Sequence, residues 1–122
     1  MSSRVIHFEL PADDPERCAR FYEAAFGWTV STWGGPTEYW LVGTGEGEPG
    51  IDGGIGRRQG PEDQVTNTID VPDLDAAVEA VIANGGTVTR PRGPVAGVGW
   101  LAYCTDTEGN PFGIMQADLE AK

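Results

Sequence analysis

Basic side chains are scarce in this 122-residue sequence, and lysine is almost missing. Lys122 is the single lysine, and eight basic residues stand against nineteen acidic ones, which gives a formal net charge of −11. A surface of that sign repels nucleic acid and anionic membranes. We therefore expect neither nucleic acid nor a membrane among the partners of this protein.

Long apolar runs and cysteine pairs are also missing. No apolar run approaches the roughly 20 residues of a membrane-spanning helix, and the first residues, Met1 to Phe8, lack the apolar segment of a secretory signal. The two cysteines, Cys18 and Cys104, do not form a disulfide framework. These absences predict a cytoplasmic protein with free thiols.

One pattern occurs twice in the sequence. Residues 64–89 repeat the pattern of residues 5–30 without a gap, at an offset of 59 positions (69 − 10). Two copies predict a pseudo-twofold pair of modules, because a solenoid needs several copies to bury a continuous core. Positions paired by this offset include Leu10 with Ile69, Asp14 with Asp73, Gly27 with Gly86, and Gly54 with Gly113.

Each copy begins with a strand pattern followed by a helix pattern. In the first copy, Phe8 and Leu10 share one face of the strand while His7 and Glu9 share the other. A helix should then begin after Asp14, a good N-cap, and end at a glycine. In the second copy, Asp73 has the same capping role, while Thr66, Thr68 and Asp70 lie opposite the apolar side of the strand.

These patterns predict an α+β fold in a single domain, residues 1–122. Two pseudo-twofold βαβββ modules, residues 4–56 and 64–118, are joined by a linker at residues 57–63, and their curved sheets surround a cleft with one helix per module on the outer face. A module of about 60 residues is marginal alone, so the halves should share a core. For the same reason we expect a homodimer.

A glycine- and proline-rich stretch, residues 90–99, follows the short strand pattern Thr87 to Thr89. We expect it to be a long loop on the rim of a ligand site, because it is rich in turn residues and leads into Trp100.

The repeated βαβββ pattern, the histidine on the first strand and the closing sequence Asp106-Thr-Glu-Gly-Asn-Pro-Phe-Gly-Ile-Met-Gln116 resemble the vicinal oxygen chelate superfamily. That superfamily includes glyoxalase I, extradiol dioxygenases and bleomycin-resistance proteins. The resemblance covers nearly the whole chain. It implies a fold, whereas the reaction has to be argued from the site, because one scaffold supports many activities.

The resemblance also implies where a metal would bind. Metal-dependent members take their ligands from the first and last strands of each module, which correspond here to His7, Thr66, Gly54 and Gly113. Only His7 of these four can bind a metal, and a catalytic ion normally needs three protein ligands. We therefore expect no metal cofactor. The alternative is a divalent ion held by His7, Glu9 and Asp52, with water completing the shell.

The remaining side chains of the predicted cleft indicate a small-molecule site. Aromatic walls with a few carboxylates suit a planar or cationic compound. The leading hypothesis is a metal-free binding protein that sequesters an aromatic or cationic compound, as bleomycin-resistance proteins do. The alternative is a metal-dependent lyase of the lactoylglutathione lyase type, an isomerase or a dioxygenase. The predicted ligand-binding residues are His7, Glu9, Trp33, Tyr39, Thr66, Thr68, Trp100 and Met115, and Trp40 and Tyr103 are near enough in sequence to contribute.

Overall fold

The structure, a computed structural model, describes residues 3–122. It contains eight strands and two helices within those residues: β1 Val5–Ala12, α1 Pro15–Phe26, β2 Thr29–Thr32, β3 Tyr39–Gly43, β4 Asp52–Arg57, β5 Thr66–Asp70, α2 Leu74–Ala83, β6 Thr87–Val95, β7 Gly99–Thr105 and β8 Pro111–Ala117. The α+β class predicted from the sequence is confirmed. In the described part of the chain, neither helix is long and apolar enough to cross a membrane.

The chain divides into two compact units. The first unit is His7–Val65, and the second comprises residues 3–6 together with residues 66–122. The strands of the first unit lie in the order β2-β3-β4-β1, and those of the second in the order β5-β8-β7-β6. In each unit the first and last strands in chain order, β1 with β4 and β5 with β8, pair in parallel.

Helix α1 begins and ends where the sequence predicts. The Asp14 side chain accepts a hydrogen bond from the Arg17 backbone N–H at 3.1 Å, and Pro15 occupies the first turn. Gly27 ends the helix in the left-handed conformation, with φ 73°, which glycine adopts without a steric cost.

Helix α2 follows the same capping rule. The Asp73 side chain accepts a hydrogen bond from the Ala76 N–H at 3.1 Å, and the helix ends before Asn84. The backbone N–H of Leu74, in the first turn, donates to Gln116 Oε1 at 2.8 Å, which fixes the helix to β8.

Each unit buries one face of its sheet under its helix. In the first unit, Val42 and Ile55 pack against Ala19 of α1, joined by the partly buried Phe8 and Leu10 predicted for this face. In the second unit, a buried cluster under α2 consists of Val71, Leu74, Ala102, Cys104 and Ile114. The opposite face of each sheet is called here the helix-free face, because no helix of the same unit packs on it.

The prediction of a long loop at residues 90–99 is wrong. This stretch forms most of β6, which pairs antiparallel with β7, with register shifts on either side of Arg90. Strand β6 is the edge strand of its unit. An edge strand tolerates Pro91 and Pro94, because one side of its backbone has no neighbouring strand to which an N–H would have to donate. The glycine and prolines that indicated a loop therefore belong to an irregular edge strand.

Candidate functional site on the helix-free faces

The helix-free face of the first unit is built by residues that share strand registers. His7 pairs with Asp52 across β1 and β4, and Glu9 pairs with Gly54. Register partners project to the same side of a sheet. Tyr39, on β3, pairs with Gly56 and so lies on this face as well. Three polar side chains and one aromatic ring are thereby brought onto one surface.

A hydrogen bond joins His7 to Tyr39. The imidazole Nε2 lies 2.8 Å from the Tyr39 hydroxyl oxygen, and the two ring centroids are 6.4 Å apart at an interplanar angle of 24°. Tyr39 starts on β3, so its side chain has to cross β4 to reach β1. It crosses at Gly54, where any Cβ would overlap the tyrosine ring and hydroxyl. The absence of a side chain at position 54 is what allows the bond to form.

Burial and charge act on His7 in opposite directions. Loss of solvent around the imidazole lowers the pKa of His7 below its ordinary 6.5, and the negative charges of Glu9 and Asp52 oppose that shift. Burial is the larger cause, so His7 is neutral at pH 7. A neutral imidazole can donate from one ring nitrogen and accept at the other.

Trp33 extends the aromatic surface beside Tyr39. The two rings meet edge to face with centroids 6.4 Å apart, and the backbone N–H of Trp33 donates to the backbone carbonyl oxygen of Tyr39 at 2.9 Å. The Trp33 ring also covers Gly35, where a Cβ would lie 2.5 Å from it. Trp40, by contrast, pairs with Ile55 and packs in the buried cluster under α1, so it does not lie on this face.

The helix-free face of the second unit carries threonine, aspartate and methionine side chains from β5 and β8. Thr68 pairs with Gly113, and Asp70 pairs with Met115. Thr66 has the same strand parity as Thr68. Thr68 is only 3% exposed, and its hydroxyl has no hydrogen-bond partner among the described residues. Sequence alternation correctly groups these β5 threonines with Met115.

Trp100 does not lie with that group. It packs on the buried cluster under α2, together with Ala102 and Cys104 of the same strand parity, and its indole N–H donates to Asp118 Oδ2 at 3.0 Å. Tyr103, on the alternate parity, pairs with Gly113 and lies on the helix-free face. The small residues at positions 102 and 104 were a usable signal for the buried side of β7, and sequence reasoning did not use it.

Two surface hollows each include one residue of these faces, Asp52 or Asp70, but not the central side chains of the faces. One, of about 250 Å³, is lined by Gly27, Thr29, Gly43, Thr44, Gly45, Glu46 and Asp52. The other, of about 240 Å³, is lined by Asp70, Val71, Pro72, Gln116 and Ala117. Neither includes His7, Tyr39 or Thr68, so the candidate site is defined by its chemistry and not by these concavities.

The residues present do not fit the metal site that the superfamily implies. His7 directs Nε2 to Tyr39, and Asp52 Oδ1 accepts from the Thr44 N–H at 2.9 Å and from the Thr44 hydroxyl at 3.3 Å. The last-strand position, Gly54, offers no ligand, and the Tyr39 ring fills its space. Within residues 3–122, no group of three or more His, Cys, Asp or Glu side chains is arranged to hold a metal ion. Three such ligands are the ordinary requirement of a catalytic site.

Two βαβββ units, each with a polar and partly aromatic helix-free face, are the architecture that the sequence predicted for a glyoxalase-like protein. Comparison with known proteins agrees with this class. A family description, the glyoxalase-like domain, matches residues 6–115. The chain belongs to this family, and the resemblance to the vicinal oxygen chelate superfamily is thereby confirmed.

One relative and several solved structures are similar to the chain over nearly its full length. A glyoxylase-like domain-containing protein of Didymella fabae is 30% identical over 93% of this chain and 94% of its own. A methylmalonyl-CoA epimerase variant of Streptomyces coelicolor, in complex with 2-nitronate-propionyl-CoA, has a TM-score of 0.68 at 15% identity, covering 100% of this chain and 99% of that chain. A hypothetical protein from Bacillus halodurans has a TM-score of 0.71 at 12% identity, with 100% and 99% covered. At these identities the structural matches show the fold alone.

Proposed function

We propose that this chain is a small-molecule-binding protein of the glyoxalase-like family and that its first unit binds a planar organic cation without a metal ion. One observation carries the proposal. The Tyr39 ring fills the space over Gly54 and is hydrogen-bonded to His7, so an aromatic surface stands where a metal ligand would have to lie.

The charges around this pair favour a cation. Glu9 and Asp52 act on His7 as negative charges, and burial keeps the imidazole itself uncharged at neutral pH. The Tyr39 and Trp33 rings are in edge-to-face contact beside them. A cation over an aromatic face gains about 0.5 to 2 kcal/mol. Carboxylates at the same surface add a Coulomb attraction that a neutral compound lacks.

A matched pair of probes tests the preference for a cation. N-methylquinolinium carries a fixed positive charge, whereas quinoline has nearly the same shape and is neutral at pH 7.5. Calorimetric titration should show that the quinolinium ion binds at least about tenfold more tightly, which corresponds to about 1.4 kcal/mol. Equal affinities for the two probes would contradict a cation site.

Two variants separate the site from the general acidity of the protein. Glu9→Gln should weaken quinolinium binding, because it removes a charge from the helix-free face. Glu48→Gln removes the same charge from an exposed segment between β3 and β4, and should leave the affinity unchanged. If both variants weaken binding equally, the attraction is a property of the net charge of −11 and not of this site.

The competing function is a metal-dependent lyase, isomerase or dioxygenase, and metal analysis distinguishes it. Protein purified without chelator should contain zinc, nickel, manganese and iron only far below one ion per chain. A stoichiometric ion that is lost in His7→Ala would overturn the proposal and support a site containing His7, Glu9 and Asp52.

A further inference from the structure

A row of four residues crosses the helix-free face of the second unit. Thr68 pairs with Gly113, Gly113 with Tyr103, and Tyr103 with Arg90. Adjacent strands are about 4.8 Å apart, and register partners share a face, so the four positions form one line across β5, β8, β7 and β6.

The first half of the row combines a buried hydroxyl with a gap. Thr68 Oγ1 is buried and has no hydrogen-bond partner within residues 3–122. A Cβ on Gly113 would lie 3.4 Å from that oxygen, 3.4 Å from the Tyr103 ring and 3.5 Å from Leu101. These are ordinary contact distances, so a space of about one methyl group lies beside an unsatisfied hydroxyl. The corresponding glycine of the first unit, Gly54, has no such space, because Tyr39 fills it.

The second half of the row holds a cation without an acidic partner. The Arg90 guanidinium carbon lies 5.4 Å from the centroid of the Tyr103 ring, and no carboxylate of the described residues forms an ion pair with it. Arg92 is the contrasting case on the same strand. It lies 4.6 Å from the Trp100 centroid and forms an ion pair with Asp75 at 2.9 Å.

We infer that the row Thr68, Gly113, Tyr103 and Arg90 binds the carboxylate of a small aromatic acid. Arg90 supplies the positive charge, the Thr68 hydroxyl donates a hydrogen bond to a carboxylate oxygen, and the Tyr103 ring contacts the apolar part of the ligand. Thr68 Oγ1 is buried and the space beside it is the size of a methyl group, so this binding requires the Tyr103 or Leu101 side chain to move aside. This site belongs to the second unit and is independent of the cation site proposed for the first.

Benzoate and benzamide are suitable probes, because they share a shape and differ in charge. In amide-resolved NMR of the full chain, benzoate should shift the signals of Thr68, Gly113 and Tyr103 in a saturable way. Benzamide should bind at least about tenfold more weakly, since a charge-assisted bond to arginine is lost. A benzoate titration that leaves the Gly113 signal unchanged at millimolar concentration would overturn the inference.

Variants assign the contacts. Arg90→Gln should weaken benzoate binding about tenfold or more, whereas Arg92→Gln, the matched control, should leave it within about twofold. Thr68→Val, which keeps the shape and removes the hydroxyl, should weaken binding about fivefold, and Thr68→Ser should retain the parent affinity. Equal effects of the two arginine variants would contradict the site. Arg90 is exposed, so its variant decides the outcome even if a substitution at buried Thr68 impairs folding.

Discussion

The Tyr39 hydroxyl reaches His7 across Gly54, from one strand over a second to a third. The bond and the glycine depend on each other, because a side chain at position 54 would occupy the path of the ring. Gly113, the partner of Gly54 under the 59-residue offset, has no ring over it at overlapping distance. The two glycines therefore have different structural roles, and substitution distinguishes them.

Gly54→Ala should destabilise the protein by about 1 to 3 kcal/mol, the usual cost of overpacking, because the new methyl group overlaps Tyr39. Gly113→Ala is the control and should cost less, since its Cβ meets neighbours at 3.4 Å or more. Denaturant unfolding measures both. Tyr39→Ala combined with Gly54→Ala should show a favourable coupling free energy, and strictly additive effects would show that the ring does not oppose the new methyl group.

His7→Ala should fold, remain without a stoichiometric metal, and bind N-methylquinolinium more weakly by about 1 to 2 kcal/mol, because the Tyr39 ring loses the hydrogen bond that holds it in place. In the parent protein, affinity should fall as acidification passes the lowered pKa of His7, below its ordinary 6.5, because protonated His7 repels the cation. Calorimetric titration from about pH 5 to about pH 8 measures both effects. Identical affinities and pH profiles for parent and variant would mean that His7 only packs.

His7 should also make folding stability depend on pH. Its pKa is lowered in the folded state, so below the ordinary value of 6.5 the unfolded chain binds the proton more readily than the folded chain. Stability therefore falls as the pH decreases through this range. The contribution is absent above the ordinary pKa, where both states are neutral at this residue. His7→Gln should show a smaller decrease in the free energy of unfolding between about pH 7 and about pH 5. Parallel curves would contradict the lowered pKa.

We expect the protein to be a homodimer. Large apolar side chains of the described chain are exposed, among them Phe21 at 58% and Phe26 at 64% on helix α1. Exposed apolar surface of this kind favours association. Sedimentation at micromolar concentration should give twice the chain mass of 13.0 kDa. A monomer at that concentration would exclude the dimer.

Local patterns in the sequence determine much of the fold. Asp14 with Gly27, and Asp73 before α2, mark helix boundaries because capping depends on neighbouring backbone groups. Period-two alternation places His7 and Glu9 opposite Phe8 and Leu10, because successive side chains of a strand point to opposite faces. The α+β class follows from such local rules.

Contacts between distant residues were decided only by tertiary structure. The bond from His7 to Tyr39 spans 32 positions, and no sequence pattern indicates that the tyrosine ring crosses Gly54. Residues 90–99 resemble a loop in sequence because of their prolines, but an edge strand tolerates proline. Arg90 therefore lies in a strand, where it pairs with Tyr103 and joins the row that contains Thr68. Spacing along the chain determined which residues of β1 and β5 lie on the helix-free faces, whereas it did not place Trp100 of β7. Strand register decided which of them meet, because it depends on pairing between segments that are far apart in the chain.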